Sequence, residues 1–101
     1  MSATLSLSCS RKIYELLGDT YETEKHHSIW RGETVLDIET GSIPAPSFSE
    51  TIRLLPKIAE KKGWEDYECA LFLYDVYPLY VYTATEEEGM AKVSEYLEKT
   101  L

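Results

Sequence analysis

The chain has 101 residues, of which 44% are hydrophobic and 28% are charged. These proportions are typical of a folded globular domain and argue against a disordered chain. Eighteen acidic and ten basic residues give a net charge of −8. That charge opposes direct binding to nucleic acid or anionic lipid, because affinity for phosphate comes mainly from Lys and Arg. We therefore expect a single domain over residues 1–101, with a flexible start over residues 1–8.

The cysteines and the apolar segments set expectations about the compartment. Cys9 and Cys69 are too few for a disulfide framework, and we interpret them as buried or ordinary thiols in a reducing environment. The first ten residues lack the positive charge and the apolar run of a signal peptide. No apolar stretch approaches the roughly 20 residues that span a bilayer. We expect a cytoplasmic protein without membrane contact.

The first predicted elements are a helix and a β-hairpin. Apolar residues at helical spacing, followed by Gly18 in a position suited to ending a helix, predict a helix over residues 9–17. Two strands then follow, at residues 28–30 and 34–39, on either side of a turn at Gly32. The second strand alternates apolar and acidic side chains, which is typical of a strand with one buried face.

The middle of the chain predicts an extended segment and a second helix. The two prolines of the IPAP segment at residues 43–46 hold the backbone extended. Ser47 and Glu50 have the spacing of a capping box at a helix start. Because Pro56 lies inside the apolar pattern that follows, we expect a helix over residues 48–55 and then a looser second piece.

Residues 69–83 are predicted to form a second hairpin with its turn at residues 75–78. Read as strands, the two runs present aliphatic side chains on one face and aromatic side chains on the other. We expect the aliphatic face to pack on the helices. The aromatic face is the candidate contact surface, and its residues are Phe72, Tyr74, Tyr77, Tyr80 and Tyr82.

The last predicted element is a helix capped by Thr85. Three glutamates follow the cap at the positive end of the helix dipole. Met90, Val93 and Leu97 then form an apolar stripe along one face. The resulting order is αββαββα. It predicts an α+β domain of two layers, in which helices pack on an antiparallel sheet of about four strands.

Four segments together resemble a family of small α+β proteins encoded by bacterial prophages and other mobile elements. These segments are CSRKIYELLG, the isolated Trp30, IPAPSFSETIRLLPKI and TEEEGMAKVSEYLEKT, and the resemblance runs from about Cys9 to Thr100. This chain has a brief turn at Gly32 where relatives often carry a longer insertion. The resemblance implies a fold and a biological setting, but it implies no activity and no catalytic residue.

The predicted aromatic face has two interpretations. Cross-strand aromatic pairs stabilise a sheet, and the face then contributes only to stability. Alternatively, the face contacts another protein or a second copy of this chain, because a Tyr ring buries area while its hydroxyl stays hydrated. Stacking on nucleic-acid bases is disfavoured, since the neighbouring charges are acidic.

Two further pairs could hold a cation. His26 and His27 are adjacent on an extended segment, where neighbouring side chains diverge and cannot easily share a metal. Asp37 and Glu39 lie on one strand face, which is more typical of the hydrated side of a strand than of an acid–base pair. We assign no catalytic, metal or cofactor site.

The leading hypothesis is a non-enzymatic accessory protein of a phage or mobile element that acts through protein contacts. Its partner is another protein or, with a weak preference for a dimer, a second copy of this chain. One alternative is an acidic decoy that imitates DNA and occupies a nucleic-acid-binding protein. A less favoured alternative is a small hydrolase or metal-dependent enzyme that uses the histidine or carboxylate pair.

Overall fold

Four helices and a small antiparallel sheet make up the part of the chain that the structure describes. This computed structural model covers residues 3–18, 20–30, 33–37 and 43–101, with the backbone alone at 28–30 and 33–37. The elements are α1 (Leu7–Leu17), β1 (Lys25–Trp30), β2 (Glu33–Asp37), β3 (Ile43–Ala45), α2 (Phe48–Lys62), α3 (Asp66–Val81) and α4 (Glu86–Thr100). The α+β content agrees with the prediction. The predicted four-stranded sheet and the order αββαββα are wrong, since the described elements follow the order αβββααα.

Helix α1 forms where its periodicity predicts it and starts two residues earlier. Ser6 caps it, because its side-chain oxygen accepts a hydrogen bond from the Cys9 N–H at 3.2 Å. Gly18 ends the helix with a φ of 64°, a conformation that favours glycine. Ile13 and Leu17 face the core.

The segment before α1 is part of the core. The flexible start expected for residues 1–8 is replaced, from Ala3 on, by a packed segment in which Leu5 is fully buried. The Leu5 N–H donates to the Pro46 carbonyl oxygen at 2.8 Å. The Ser6 N–H donates to Ser94 Oγ at 2.9 Å. These bonds tie the start of the chain to the start of α2 and to α4.

The sheet has the strand order β2-β1-β3. Strands β1 and β2 pair antiparallel with His27 opposite Leu36, which confirms the first predicted hairpin. The turn predicted at Gly32 lies outside the described residues. Strand β3 pairs antiparallel with the other side of β1, with His26 opposite Pro44. The extended conformation predicted for the IPAP segment is therefore confirmed, and it supplies the third strand.

Helix α2 confirms the predicted cap and corrects the predicted break. The Glu50 N–H donates to Ser47 Oγ at 3.4 Å, and the Ser47 N–H donates to the Glu50 carboxylate at 2.9 Å. The helix runs on through Pro56 to Lys62. Proline removes one backbone donor, but burial of α2 side chains such as Ile58 compensates for that loss.

The second predicted hairpin is wrong, because residues 66–81 form one continuous helix, α3. Almost every position from Cys69 to Tyr82 is uncharged, and Asp75 is the exception. A run that is apolar on all sides matches a period of two as well as a helical period, so periodicity cannot separate the two structures. Pro78, taken for a turn residue, lies in the last turn of the helix.

Helix α4 confirms the predicted stripe and packs closely against α3. Met90, Val93 and Leu97 are buried. A Cβ atom added at Gly89 would lie 2.7 Å from Thr83 Oγ1, so only a glycine permits this approach. One core unites the four helices and the segment before α1; its fully buried members include Leu5, Ile13, Ile58, Val76, Met90, Val93 and Leu97.

Candidate protein-contact surface

Helix α3 has apolar side chains on all sides, yet only Phe72 and Val76 are buried. Within the described residues, every large hydrophobic side chain that is clearly exposed lies between Tyr67 and Tyr82. Tyr74 is 80% exposed. A helix that is apolar all round is normally buried on all sides. We call the exposed row on α3 the α3 face, and it consists of Tyr67, Leu71, Tyr74, Tyr77 and Val81.

The α3 face, taken together with Leu73 and Tyr82, is large for the surface of a monomer. With Leu73 and Tyr82 it exposes roughly 800 Å², taking about 200 Å² for a fully exposed tyrosine. The largest apolar patch on a typical monomer covers about 300–600 Å². One partner in a protein–protein interface of standard size buries about 800 Å². The exposed area of α3 is therefore comparable to one side of such an interface.

The structure separates the five residues of the predicted contact surface. Tyr74 and Tyr77 lie on the α3 face, and Tyr82 is exposed just after the helix. Phe72 is 3% exposed and cannot contact a partner. Tyr80 is half-buried. The correction follows from the helix, which directs residues 72 and 80 towards the protein, whereas alternation along the predicted strands would place residues 72, 74, 80 and 82 on one face with Tyr77 at the turn.

Aromatic contacts hold the inward side of α3 in place. The Phe72 ring lies 5.5 Å from the Trp64 ring and 5.6 Å from the Tyr96 ring. The Tyr80 ring stacks on Phe48 at 3.9 Å with an interplanar angle of 3°. These contacts fix the rotation of α3, and hence they fix which residues remain outside.

The exposed surface also includes Tyr67, Leu71 and Val81. The prediction that the aliphatic face of the hairpin packs on the helices is wrong for Leu71 and Val81, and Tyr67 lies before the predicted hairpin. Leu71 follows Tyr67 by four residues, Val81 follows Leu71 by ten, and Tyr74 lies between them. These spacings place all four side chains on one side of a helix. That signal was present in the sequence. It was hidden because the intervening residues are apolar as well.

An apolar groove of about 510 Å³ lies between α2 and α3. We call it the α2–α3 groove; it is lined by Ile52, Leu55, Pro56, Ala59, Glu60, Trp64, Asp66, Cys69 and Leu73. Leu73 is 36% exposed and connects the groove with the outer surface of α3. Tyr77 follows one turn later on the same helix row. The groove and the α3 face are thus neighbouring parts of one surface.

The charges that line the groove and those along α3 are acidic. The two charged residues that line the groove are Glu60 and Asp66. Between Lys62 and Lys92 the sequence contains no Lys, Arg or His, but it contains seven acidic residues: Glu65, Asp66, Glu68, Asp75, Glu86, Glu87 and Glu88. On its α3 side, the surface therefore combines an apolar centre with a negative rim, while α2 also carries the exposed Arg53 and Lys57.

A buried serine–histidine pair lies away from this surface. Ser10 Oγ is 3.1 Å from His27 Nε2, which also lies 3.0 Å from the Leu5 carbonyl oxygen. Because a carbonyl oxygen only accepts, Nε2 carries the proton and donates. That nitrogen cannot serve as the base that activates Ser10. The pair stabilises the junction of α1 and β1 and does not have the arrangement of a catalytic dyad.

Within the described residues, the histidine and carboxylate pairs considered above form no cation site. His27 is buried while His26 is only half-buried, as expected for neighbours on a strand. Asp37 ends β2, and only its backbone is described; Glu39 lies outside the described residues. Across the described ranges, no three His, Cys, Asp or Glu residues form a group that could hold a metal ion.

The two cysteines differ in reactivity. Cys9 is fully buried, and burial, assisted by the Glu98 carboxylate, raises the pKa of its thiol to about 12. Its thiolate, the reactive form, is therefore scarce at neutral pH. Cys69 is half-buried and lines the α2–α3 groove. Cys69 can therefore report on the occupancy of that groove.

No protein-family model, curated protein or solved structure matched the chain. The resemblance to proteins of prophages and mobile elements stays a prediction. Of the helices in the described part of the chain, none has the length and apolar character needed to cross a membrane.

Proposed function

We propose that this protein is a non-enzymatic binding protein that contacts another protein through the α3 face. The observation that carries the proposal is the exposure of a whole apolar helix side, including Tyr67 and Tyr74. Tyrosines are enriched at protein interfaces, because they bury a large apolar ring and keep a polar end. The setting we propose is that of an accessory protein of a phage or mobile element.

The apolar face favours this role over that of a DNA mimic. A decoy for a nucleic-acid-binding protein needs a long, continuous negative surface. Along α3 the exposed side carries tyrosines and aliphatic residues, and the acidic residues stand at its edges. A face of this kind supports apolar contact with a partner, with the charges contributing to orientation and selectivity.

Site-specific photo-crosslinking tests the proposal. The chain is produced in its native cells with p-benzoylphenylalanine in place of Tyr74, which is 80% exposed. A matched control carries the same group in place of Ala91, an exposed position on α4. We expect a discrete crosslink to a second protein from position 74 and none from position 91, because interface residues lie within reach of the partner.

The partner-dependent crosslink should also respond to the surface chemistry. Tyr67→Glu, introduced beside the crosslinker, places a charge in the apolar contact and should abolish the product. Absence of any crosslink from position 74 would overturn the proposal. Equal crosslinking from positions 74 and 91 would also overturn it, since contact would then not be specific to α3.

A further inference from the structure

We infer that the α2–α3 groove receives an amphipathic helix of the partner protein, whose apolar stripe is flanked by Lys and Arg. This inference rests on the proposed function and specifies the chemistry of the partner. Helix-in-groove binding places residues at positions i, i+4 and i+7 of one helix into an apolar channel. The α2–α3 groove offers such a channel between two helices.

The dimensions of the groove fit a short helical ligand. The apolar part of its α2 wall runs from Ile52 to Ala59, seven residues apart, which is about 10 Å along the helix axis. Anchors at i and i+7 of a bound helix span the same distance of about 10 Å. The lining provides Leu55, Pro56 and Leu73 for contact with the apolar stripe.

The charges select a basic partner. Glu60 and Asp66 both line the groove beside the connection between the two helices, one on α2 and one at the start of α3. Lys or Arg residues on both sides of the apolar stripe would each meet a carboxylate. A second copy of this chain would bring another set of carboxylates, because the stretch between Lys62 and Lys92 has no basic residue. Like charges at the rim oppose self-association.

Two synthetic helical peptides test the charge preference. Both have roughly 18 residues and the same leucines at i, i+4 and i+7; one has Lys and Arg at the flanking positions and the other has Glu. Titration calorimetry with the full chain should show the basic peptide binding at least about tenfold more tightly than the acidic one. Equal affinity, or no binding of the basic peptide, would contradict the inference.

Leu73→Glu separates groove packing from general attraction to an acidic protein. The change adds a carboxylate, so purely electrostatic binding of the basic peptide would become tighter. If Leu73 packs against the bound helix, the affinity falls about tenfold despite the added negative charge. Ala91→Glu adds the same charge on α4 and should leave the affinity unchanged or slightly higher. Tighter binding to Leu73→Glu would overturn the inference.

Alkylation of Cys69 in the unmodified chain gives a readout that does not depend on a variant folding. Saturating basic peptide should slow the reaction of iodoacetamide with Cys69 about tenfold or more, because the thiol lines the groove. Cys9 is buried and contributes little to the signal. An unchanged alkylation rate would show that the peptide binds elsewhere and would overturn the inference.

The outcomes distinguish this inference from the proposed function. If position 74 crosslinks to a partner but the peptide experiments fail, the basic helix is excluded as the ligand and α3 remains a protein-contact face. Sedimentation of the chain alone as a dimer, with Cys69 already protected, would identify a second copy as the occupant and overturn the inference. Failure of the crosslinking would remove the function on which the inference rests.

Discussion

His27 shows how a single buried side chain links α1 to the sheet. Its Nε2 donates to the Leu5 carbonyl oxygen at 3.0 Å and lies 3.1 Å from Ser10 Oγ. Its Nδ1 is buried without a hydrogen-bond partner among the described residues. Burial lowers the pKa of His27 below the ordinary value of 6.5, because the charged imidazolium is poorly solvated there. The folded protein therefore holds His27 neutral.

We expect acidification to destabilise the protein through His27. The imidazole of the unfolded chain has the higher pKa, so it binds a proton first as the pH falls through about 6.5. The unfolding free energy should be larger at about pH 7.5 than at about pH 5.5, and His27→Gln should reduce that difference. Urea denaturation at both pH values measures it.

The neighbouring histidine supplies the control for this pH experiment. His26→Gln leaves His27 in place, so this variant should keep the loss of stability at acidic pH. If His27→Gln and His26→Gln show the same dependence as the natural chain, another group is responsible for the loss.

At the scale of elements, α3 was the least predictable part of the chain. Its apolar residues fit both a strand and a helix, whereas the stripe of α4, broken by charged residues, fits only a helix. The helical state of α3 is stabilised by tertiary contacts, among them the hydrogen bond that Tyr96 Oη donates to Asp75 at 2.9 Å. The capping box of α2, by contrast, depends on two residues three apart, Ser47 and Glu50, and the sequence predicts it directly.

Pro78→Ala distinguishes the helix from the hairpin. Inside a helix, proline removes a backbone donor and crowds the preceding turn, so replacing the exposed Pro78 should stabilise the protein by about 1–3 kcal/mol. In a hairpin turn, the same change would remove a favourable proline and lower stability. Thermal unfolding followed by circular dichroism measures the change, and a lower melting temperature for Pro78→Ala would contradict the helix.

At the scale of the whole molecule, the core depends on contacts between distant parts of the chain. The backbone N–H groups of Leu5 and Ser6 donate hydrogen bonds to Pro46 and Ser94, which lie about 40 and 90 positions later in the sequence. Polar residues surround Leu5 in the sequence, and they gave no signal that it enters the core. Burial of this segment closes the fold over α1 and α4.

We expect Leu5→Ala to destabilise the protein by about 2–4 kcal/mol, because it leaves a cavity among fully buried side chains. Leu71→Ala provides a matched control on the exposed α3 face and should change stability by less than about 0.5 kcal/mol. Chemical denaturation measures both variants. A negligible effect of Leu5→Ala would mean that the start of the chain does not pack in solution as it does here.

Neighbouring residues were sufficient to predict α1, the first hairpin, the cap of α2 and the stripe of α4. These features depend on hydrogen bonds and periodicity within a few positions, so the sequence contains their signals. The state of α3, the burial of Phe72 and the α2–α3 groove depend on which elements pack against α3. Two of these elements, α2 and α4, reach it from other parts of the chain through Phe48 and Tyr96. Packing on one side of α3 buries Phe72 and half-buries Tyr80, and it leaves the opposite side of the helix exposed to solvent. For this reason only three of the five predicted contact residues are exposed: Tyr74, Tyr77 and Tyr82.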